Sequence, residues 1–163
     1  YYWYSFQNQK GWCSVALPYV IRETQDFYPL SVLCHESGME MEIGETPPDG
    51  TVKMWRMEDA ETGELIAAVT LQIRDHVYVL GTLAVKQDRR HRGYGKAMQD
   101  AVFEEARRMK IKELWGSAKV PDYYYRLGWE RMDWDTSPKV GVSCQTCGRR
   151  DRECFPAIIK MTL

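Results

Sequence analysis

The sequence predicts an α+β fold with a mixed, mainly antiparallel central sheet of about six to seven strands flanked by helices. The first observation is a set of three β-prone runs joined by tight turns, at residues 52–58, 64–74 and 77–86. Consecutive strands with such short connections pair antiparallel. The second observation is that the later β-prone runs are separated by helical patterns, at residues 113–118, 129–134 and 157–162.

The elements before this meander are a strand and a helix. Residues 19–23 have the composition of a strand, and residues 25–37 carry apolar side chains at helical spacing. We expect Pro29 to break this helix early and Gly38 to end it.

The first 18 residues differ in composition from the rest and are predicted to form an extension, leaving residues 19–163 as the main domain. The run from Gln7 to Gly11 lies between two β-prone segments and predicts a hairpin. Aromatic side chains are concentrated there: Tyr1, Tyr2, Trp3, Tyr4, Phe6 and Trp12. Packing against the domain or a second copy is the expected role, and a binding surface is the alternative.

Composition limits the class of protein. Apolar residues make up 44% and charged residues 28%, as in an ordinary globular domain, and the formal net charge is -1. A general nucleic-acid binder would show a basic excess. We find no apolar run long enough to cross a membrane and no signal-peptide pattern. The odd count of five cysteines fits a reducing compartment, so a cytoplasmic location is expected.

The best-defined helix follows residue 95. Its apolar stripe is formed by Ala97, Met98, Ala101, Val102, Ala106 and Met109. The opposite side is predicted to carry Gln99, Asp100, Glu104, Arg107 and Arg108. This spacing predicts a helix with one side packed on the sheet.

A phosphate-binding loop is predicted between the strand at 77–85 and this helix. Gly93 and Gly95 let the backbone approach a ligand closely, and the helix start offers unpaired N–H groups and a positive dipole end. Four basic side chains add charge: Arg89, Arg90, Arg92 and Lys96.

Three known phosphate-binding motifs occur between a strand and a helix, and this sequence matches one of them better than the other two. A P-loop requires Gly-Lys-Ser/Thr, but here Lys96 is followed by Ala97. A dinucleotide fingerprint requires a third glycine, where this chain has Met98. The segment from Arg90 to Gly95 reads Arg-x-x-Gly-x-Gly, and the run Leu83-Ala84-Val85 precedes it. It resembles the acetyl-CoA signature of the GNAT superfamily of N-acetyltransferases.

A second motif supports this resemblance. Residues 123–129 read Tyr-Tyr-Tyr-Arg-Leu-Gly-Trp, which is similar to the family pattern Phe-Tyr-x-x-Leu-Gly-Phe. The resemblance implies a GNAT-like fold and transfer of an acetyl group from acetyl-CoA to a primary amine by direct attack. The acceptor would be a small molecule or a protein, and a homodimer is possible. The implied cofactor contacts are Leu83, Ala84, Val85, Arg90, His91, Arg92, Gly93, Tyr94, Gly95, Lys96 and Ser117.

The resemblance places the general acid on Tyr124, which would protonate the departing thiolate. Its neighbours Tyr123 and Tyr125 project about 100° to either side on a helix and are not expected to share the position. No general base is assigned. The strand at 77–85 contains no carboxylate, and Thr82 stands where relatives often carry an acidic residue. We therefore expect deprotonation through ordered water or an amine of lowered pKa.

Two alternative functions stay open, and the first is suggested by a loop with three cysteines at residues 135–156. Cys144, Cys147 and Cys154 resemble part of a zinc knuckle, but a structural zinc ion needs four ligands. Cys13, Cys34 or His35 could supply the fourth. A metal-stabilised interaction domain is thus one alternative. The other is a non-catalytic acyl-CoA-binding or regulatory module, suggested by the missing carboxylate.

Overall fold

The computed structural model describes the backbone of residues 3–8 and 11–163, and the side chains from residue 17 onward except at position 142. Strands β1 (Trp3–Asn8) and β2 (Gly11–Ala16) form an antiparallel pair with Asn8 opposite Gly11. The turn residues Gln9 and Lys10, and the predicted packing of the N-terminal aromatic side chains, lie outside the described residues. The division of the chain at residue 18 stays a prediction.

The main sheet has seven strands, and the predicted fold class is confirmed. The strands are β3 (Tyr19–Glu23), β4 (Thr51–Asp59), β5 (Leu65–Arg74), β6 (Val77–Val85), β7 (Glu113–Ala118), β8 (Glu130–Met132) and β9 (Ala157–Thr162). Their order in space is β3-β4-β5-β6-β7-β9-β8. Within this sheet β6 and β7 are parallel, while the other neighbouring pairs are antiparallel.

Four α-helices and one 3₁₀ turn join these strands in the described part of the chain. They are α1 (Tyr28–Glu36), the 3₁₀ turn Gln87–Arg89, α2 (Tyr94–Arg108), α3 (Pro121–Arg126) and α4 (Val142–Gln145). Pro29 lies in the first turn of α1, so it begins the helix rather than breaking it as predicted. Proline is tolerated there because the first N–H groups have no intrahelical partner. Of the helices described, none is both long and apolar enough to cross a bilayer.

The two faces of β5 pack against different helices. Val69 and Leu71 belong to the larger core cluster, together with Met98 and Val102 of α2. Ala68 belongs to a second cluster, formed with buried side chains of α1. Since side chains alternate along a strand, the even-numbered residues of β5 face the side of the sheet that α1 covers.

The prediction that Gln99 lies on the solvent side of α2 is wrong. Its side chain is only 2% exposed, and its Oε1 accepts a hydrogen bond of 2.7 Å from the indole N–H of Trp129. A buried amide is tolerated when a partner satisfies it. This bond fastens α2 to the segment that follows α3. Helix α3 itself contains Tyr123, Tyr124 and Tyr125.

Candidate active site

An opening between β6 and β7 forms the centre of the site. The two parallel strands are in register at one pair, Val79 opposite Trp115. A bulge lies just beyond this pair, because Gly81 and Thr82 together face one residue of β5. The edge of β6 from Leu83 to Val85 is therefore left without a neighbouring strand on that side. Its backbone N–H and C=O groups can pair with an extended ligand.

The loop after β6 brings backbone N–H groups to the end of this opening. Gly93 precedes α2 in the left-handed region (φ 79°), and so does His91 (φ 63°). The first intrahelical bond of α2 runs from Ala97 N to Gly93 O at 3.1 Å. The N–H groups of residues 94–96 consequently have no intrahelical partner, and no side chain caps them. This is the arrangement that binds anions at a helix start.

A cleft of about 530 Å³ runs along these elements. Ten of the predicted site residues line it together: Leu83, Ala84, Val85, Arg90, His91, Gly93, Tyr94, Gly95, Ser117 and Tyr124. Several lining residues were not singled out from the sequence for the site: Ser37, Met39, Gly81, Ala118, Lys119 and Val120. Arg92 and Lys96 do not line the cleft.

The basic side chains of the loop contribute less free charge than the sequence suggests. Arg89 pairs with Asp59 at 3.3 Å and with Glu64 at 3.0 Å, and Lys96 pairs with Asp100 at 2.7 Å. Arg90 donates from Nε to the last carbonyl of β6, Val85 O, at 3.1 Å. Arg89 and Arg90 thus hold the loop against the sheet, and the backbone offers the anion site.

Tyr124 is held in place by aromatic packing. Its ring makes edge contacts with Tyr123, at a centroid distance of 5.2 Å, and with Trp129, at 5.9 Å. Its carbonyl accepts from the N–H groups of Leu127 and Trp129 just after α3, where Gly128 turns the chain with φ 96°. Burial, with a smaller contribution from Tyr123, raises the pKa of the Tyr124 hydroxyl to about 12. The hydroxyl therefore keeps its proton at neutral pH.

Tyr123 also lines the cleft, although the sequence motif gave a site role to Tyr124 alone among residues 123–125. A Cβ atom added to Gly95 would lie 2.5 Å from the Tyr123 hydroxyl oxygen. This hydroxyl therefore sits over the first turn of α2. Helical spacing within α3 does not reveal that Tyr123 and Tyr124 both line the cleft, because this depends on contacts with other elements.

The lining of the cleft contains no aspartate or glutamate among the described residues. The basic and aromatic side chains that it does contain offer proton donors and phosphate ligands. His76 is not in the lining and lies in the β5–β6 turn with φ 64°. No described carboxylate thus takes the place of a general base in the cleft.

The cysteine-containing loop at residues 135–156 packs against Ser117, which lines the cleft. A Cβ atom added to Gly141 would lie 2.7 Å from Ser117 Oγ, so the loop backbone lies directly on this strand. Cys144, Cys147 and Cys154 are free thiols. Among the described residues, no group of three or more His, Cys, Asp or Glu side chains is placed to hold a metal ion. The zinc hypothesis receives no support from these positions.

Comparison with known families identifies the class of protein. Residues 18–129 match the model of the acetyltransferase (GNAT) family. The chain therefore belongs to this family of acetyl-CoA-dependent N-acetyltransferases, and the resemblance noted in its two motifs is confirmed. A sequence comparison with curated proteins finds no significant match.

Solved structures share the fold at low sequence identity. Naa50 of Arabidopsis thaliana, in complex with a CoA–peptide bisubstrate analogue, has a TM-score of 0.68 at 10% identity, covering 90% of this chain and 100% of that one. N-acetylglutamate synthase from Neisseria gonorrhoeae, with coenzyme A and N-acetyl-glutamate, has a TM-score of 0.65 at 16% identity. There the match covers 92% of this chain but only 37% of the synthase. The ribosomal-protein-S18-alanine N-acetyltransferase from Escherichia coli has a TM-score of 0.62 at 15% identity, covering 88% and 93% of the two chains.

Proposed function

We propose that the cleft binds acetyl-CoA and that Tyr124 assists transfer of its acetyl group to a primary amine. The observation that carries this proposal is the joint placement of the free N–H groups at the start of α2, the unpaired edge of β6 and the Tyr124 hydroxyl around one cleft. In this arrangement the diphosphate lies at residues 93–96. The pantetheine arm pairs with Leu83 and Val85, and the thioester lies near the bulge.

The reaction then needs few groups from the protein. The neutral amine attacks the thioester carbonyl carbon, and a backbone N–H of β6 stabilises the oxygen that becomes negative. The C–S bond breaks, and the Tyr124 hydroxyl donates its proton to the departing thiolate. The proton of the amine leaves to water, since no carboxylate of the described residues lines the cleft.

Tyr123 and Ser117 complete the cofactor site in this proposal. The Tyr123 hydroxyl lies over Gly95, where it can donate to a phosphate oxygen. Ser117 lines the opposite wall and offers a hydroxyl to the pantetheine arm. The acceptor is an amine of a small molecule or a protein, and the acceptors of the similar structures include both kinds.

The test of this proposal is thiol release from acetyl-CoA with a panel of amines, for the natural chain and for Tyr124→Phe. We expect kcat to fall on the order of 10² in the variant because the proton donor is lost. Binding of acetyl-CoA should remain unchanged, since the ring still packs on Tyr123 and Trp129. An unaltered kcat would remove Tyr124 from the mechanism.

The cytoplasmic location, the homodimer and the lack of nucleic-acid and membrane partners stay predictions of the sequence. A structural zinc ion at the cysteine-containing loop is not proposed.

A further inference from the structure

A row of polar side chains lies on the α1 side of β5, in a strand that is otherwise apolar. Thr70 and Gln72 are 2% and 0% exposed, and Arg74 is half-buried. All three are even-numbered, so they share the face on which Ala68 packs against α1. Buried polar groups of this kind reduce stability unless partners satisfy them.

The inner end of the row touches the bulge of β6. Thr70 Oγ1 accepts from the backbone N–H of Thr82 at 3.0 Å and from Gln72 Nε2 at 2.9 Å. A Cβ atom at Gly81 would lie 2.6 Å from the Gln72 carboxamide carbon, so the bare glycine makes room for this amide. Gly81 itself lines the cleft. The first residues of the row, Thr70 and Gln72, therefore contact the part of β6 at which the proposed function places the thioester.

The inner end is also incompletely satisfied. Gln72 Oε1 is buried and has no hydrogen-bond partner among the described residues. Such an atom in a native fold calls for a water molecule or a ligand group. Within the row, Gln72 Oε1 is thus the atom free to accept a further hydrogen bond.

Arg74 forms the outer end of the row and lacks a counter-ion. Its NH1 donates to Val140 O at 2.9 Å, and it makes no ion pair with any described residue. Residues 1–16 contain no aspartate or glutamate that could serve instead. Burial lowers the pKa of the Arg74 guanidinium. Because Arg74 has only one carbonyl partner, its guanidinium retains several N–H donors. These donors have the planar, forked geometry that fits the two oxygens of a carboxylate.

The contact with Val140 places Arg74 beside the loop that reaches the cleft. Val140 is fully buried, and the next residue, Gly141, lies on Ser117 in the cleft wall. The Asp75 carboxylate accepts the Lys139 N–H at 2.7 Å, so two consecutive residues of β5 and its turn fasten this loop. Arg74 does not itself line the cleft, but it is connected to the cleft wall through Val140 and the adjoining Gly141.

We propose that the acetyl acceptor is an amine that also carries a carboxylate, and that Arg74 binds this carboxylate. This inference rests on the proposed acetyl transfer and names the class of its acceptor. Arg74 lies four residues beyond Thr70, a distance of about 13 Å along a strand. That separation favours acceptors with several carbon atoms between the amine and the carboxylate.

The experiment compares kcat/KM for matched acceptors, a set of ω-amino acids with several carbon atoms between the two groups and their carboxamides. Because the carboxylate is remote from the amine in these chains, the amine pKa differs little within a pair, and the comparison isolates the carboxylate. We expect the natural chain to prefer the acid over its amide by on the order of 10-fold to 100-fold, the range for a hydrogen-bonded charge pair. Arg74→Gln should lower kcat/KM for the acids much more than for the amides and so remove this preference, and Arg74→Lys should retain part of it.

Arg107→Gln is the control, since Arg107 is exposed on α2, on the other side of the sheet. An equal loss for acids and amides in Arg74→Gln, with a lowered melting temperature, would show that Arg74 only fastens the loop and would overturn the inference. Equal rates for acid and amide in the natural chain would overturn it too, while leaving acetyl transfer intact. Absence of thiol release with every amine would instead contradict the proposed function itself.

Discussion

Individual residues in the cleft have roles that their neighbours do not duplicate. Tyr123 and Tyr124 are adjacent in sequence and in contact, yet one hydroxyl lies over the start of α2 and the other belongs to a more deeply packed ring. The two proposed roles, binding the cofactor by Tyr123 and donating a proton by Tyr124, therefore predict different kinetic effects.

Tyr123→Phe tests the cofactor role of the first hydroxyl. Removing one hydrogen bond to a charged phosphate should raise the Kd for acetyl-CoA about 10-fold. Acetyl-pantetheine, which lacks the diphosphate, should bind the variant and the natural chain equally. Tyr125→Phe is the control, because Tyr125 packs in the core and does not line the cleft. A weaker Kd for both ligands would mean that the hydroxyl supports the fold of the cleft rather than the diphosphate.

At the scale of elements, α2 must be held firmly because its first turn forms the proposed anion site. Lys53 of β4 pairs with Glu105 of α2 at 2.6 Å, and Arg108 donates from Nε to the same carboxylate at 2.8 Å. The Lys53–Glu105 pair fastens the outer half of α2 to the sheet, and Arg108, on the same helix, holds the Glu105 carboxylate in place. Hydrogen bonds from Arg108 and then Lys53 lower the pKa of Glu105 from 4.5 to about 2.

This lowered pKa predicts a loss of stability in acid. A carboxyl whose pKa is depressed in the folded state binds protons more readily when unfolded, so its contribution is complete above pH 4.5 and disappears as the pH falls towards 2. We expect Glu105→Gln to have a lower melting temperature than the natural chain at pH 7 and a smaller decrease between pH 4.5 and pH 2. Thermal unfolding across this range measures both. Parallel curves for the two proteins would contradict the role given to Glu105.

At the scale of the whole molecule, the sequence predicted those features that depend on local pattern. The strand meander, the glycine loop and the stripe of α2 follow from periodicity and turn residues, and the structure shows them at nearly the predicted positions. The family resemblance is likewise carried by two local motifs and is confirmed.

Features that depend on partners distant in sequence were not predicted. Gln99 is polar by type, and only its bond with Trp129 explains its burial. The bulge at Gly81 lies against the side chains of Thr70 and Gln72 on the neighbouring strand. Arg74 gains its importance from Val140, which lies far along the chain. No periodicity within one segment reveals such contacts.

The central claim is that acetyl-CoA binds in the cleft against the start of α2. Isothermal titration of acetyl-CoA into the natural chain and into Gly95→Trp tests it most directly, because a side chain at Gly95 would occupy the space beside the Tyr123 hydroxyl. Gly148→Trp is the control, since a side chain there would meet no atom within 4 Å. We predict saturable binding in the micromolar range by the natural chain and by the control, and none by Gly95→Trp with its fold intact. Equal binding by all three proteins, or no binding by the natural chain, would contradict the account.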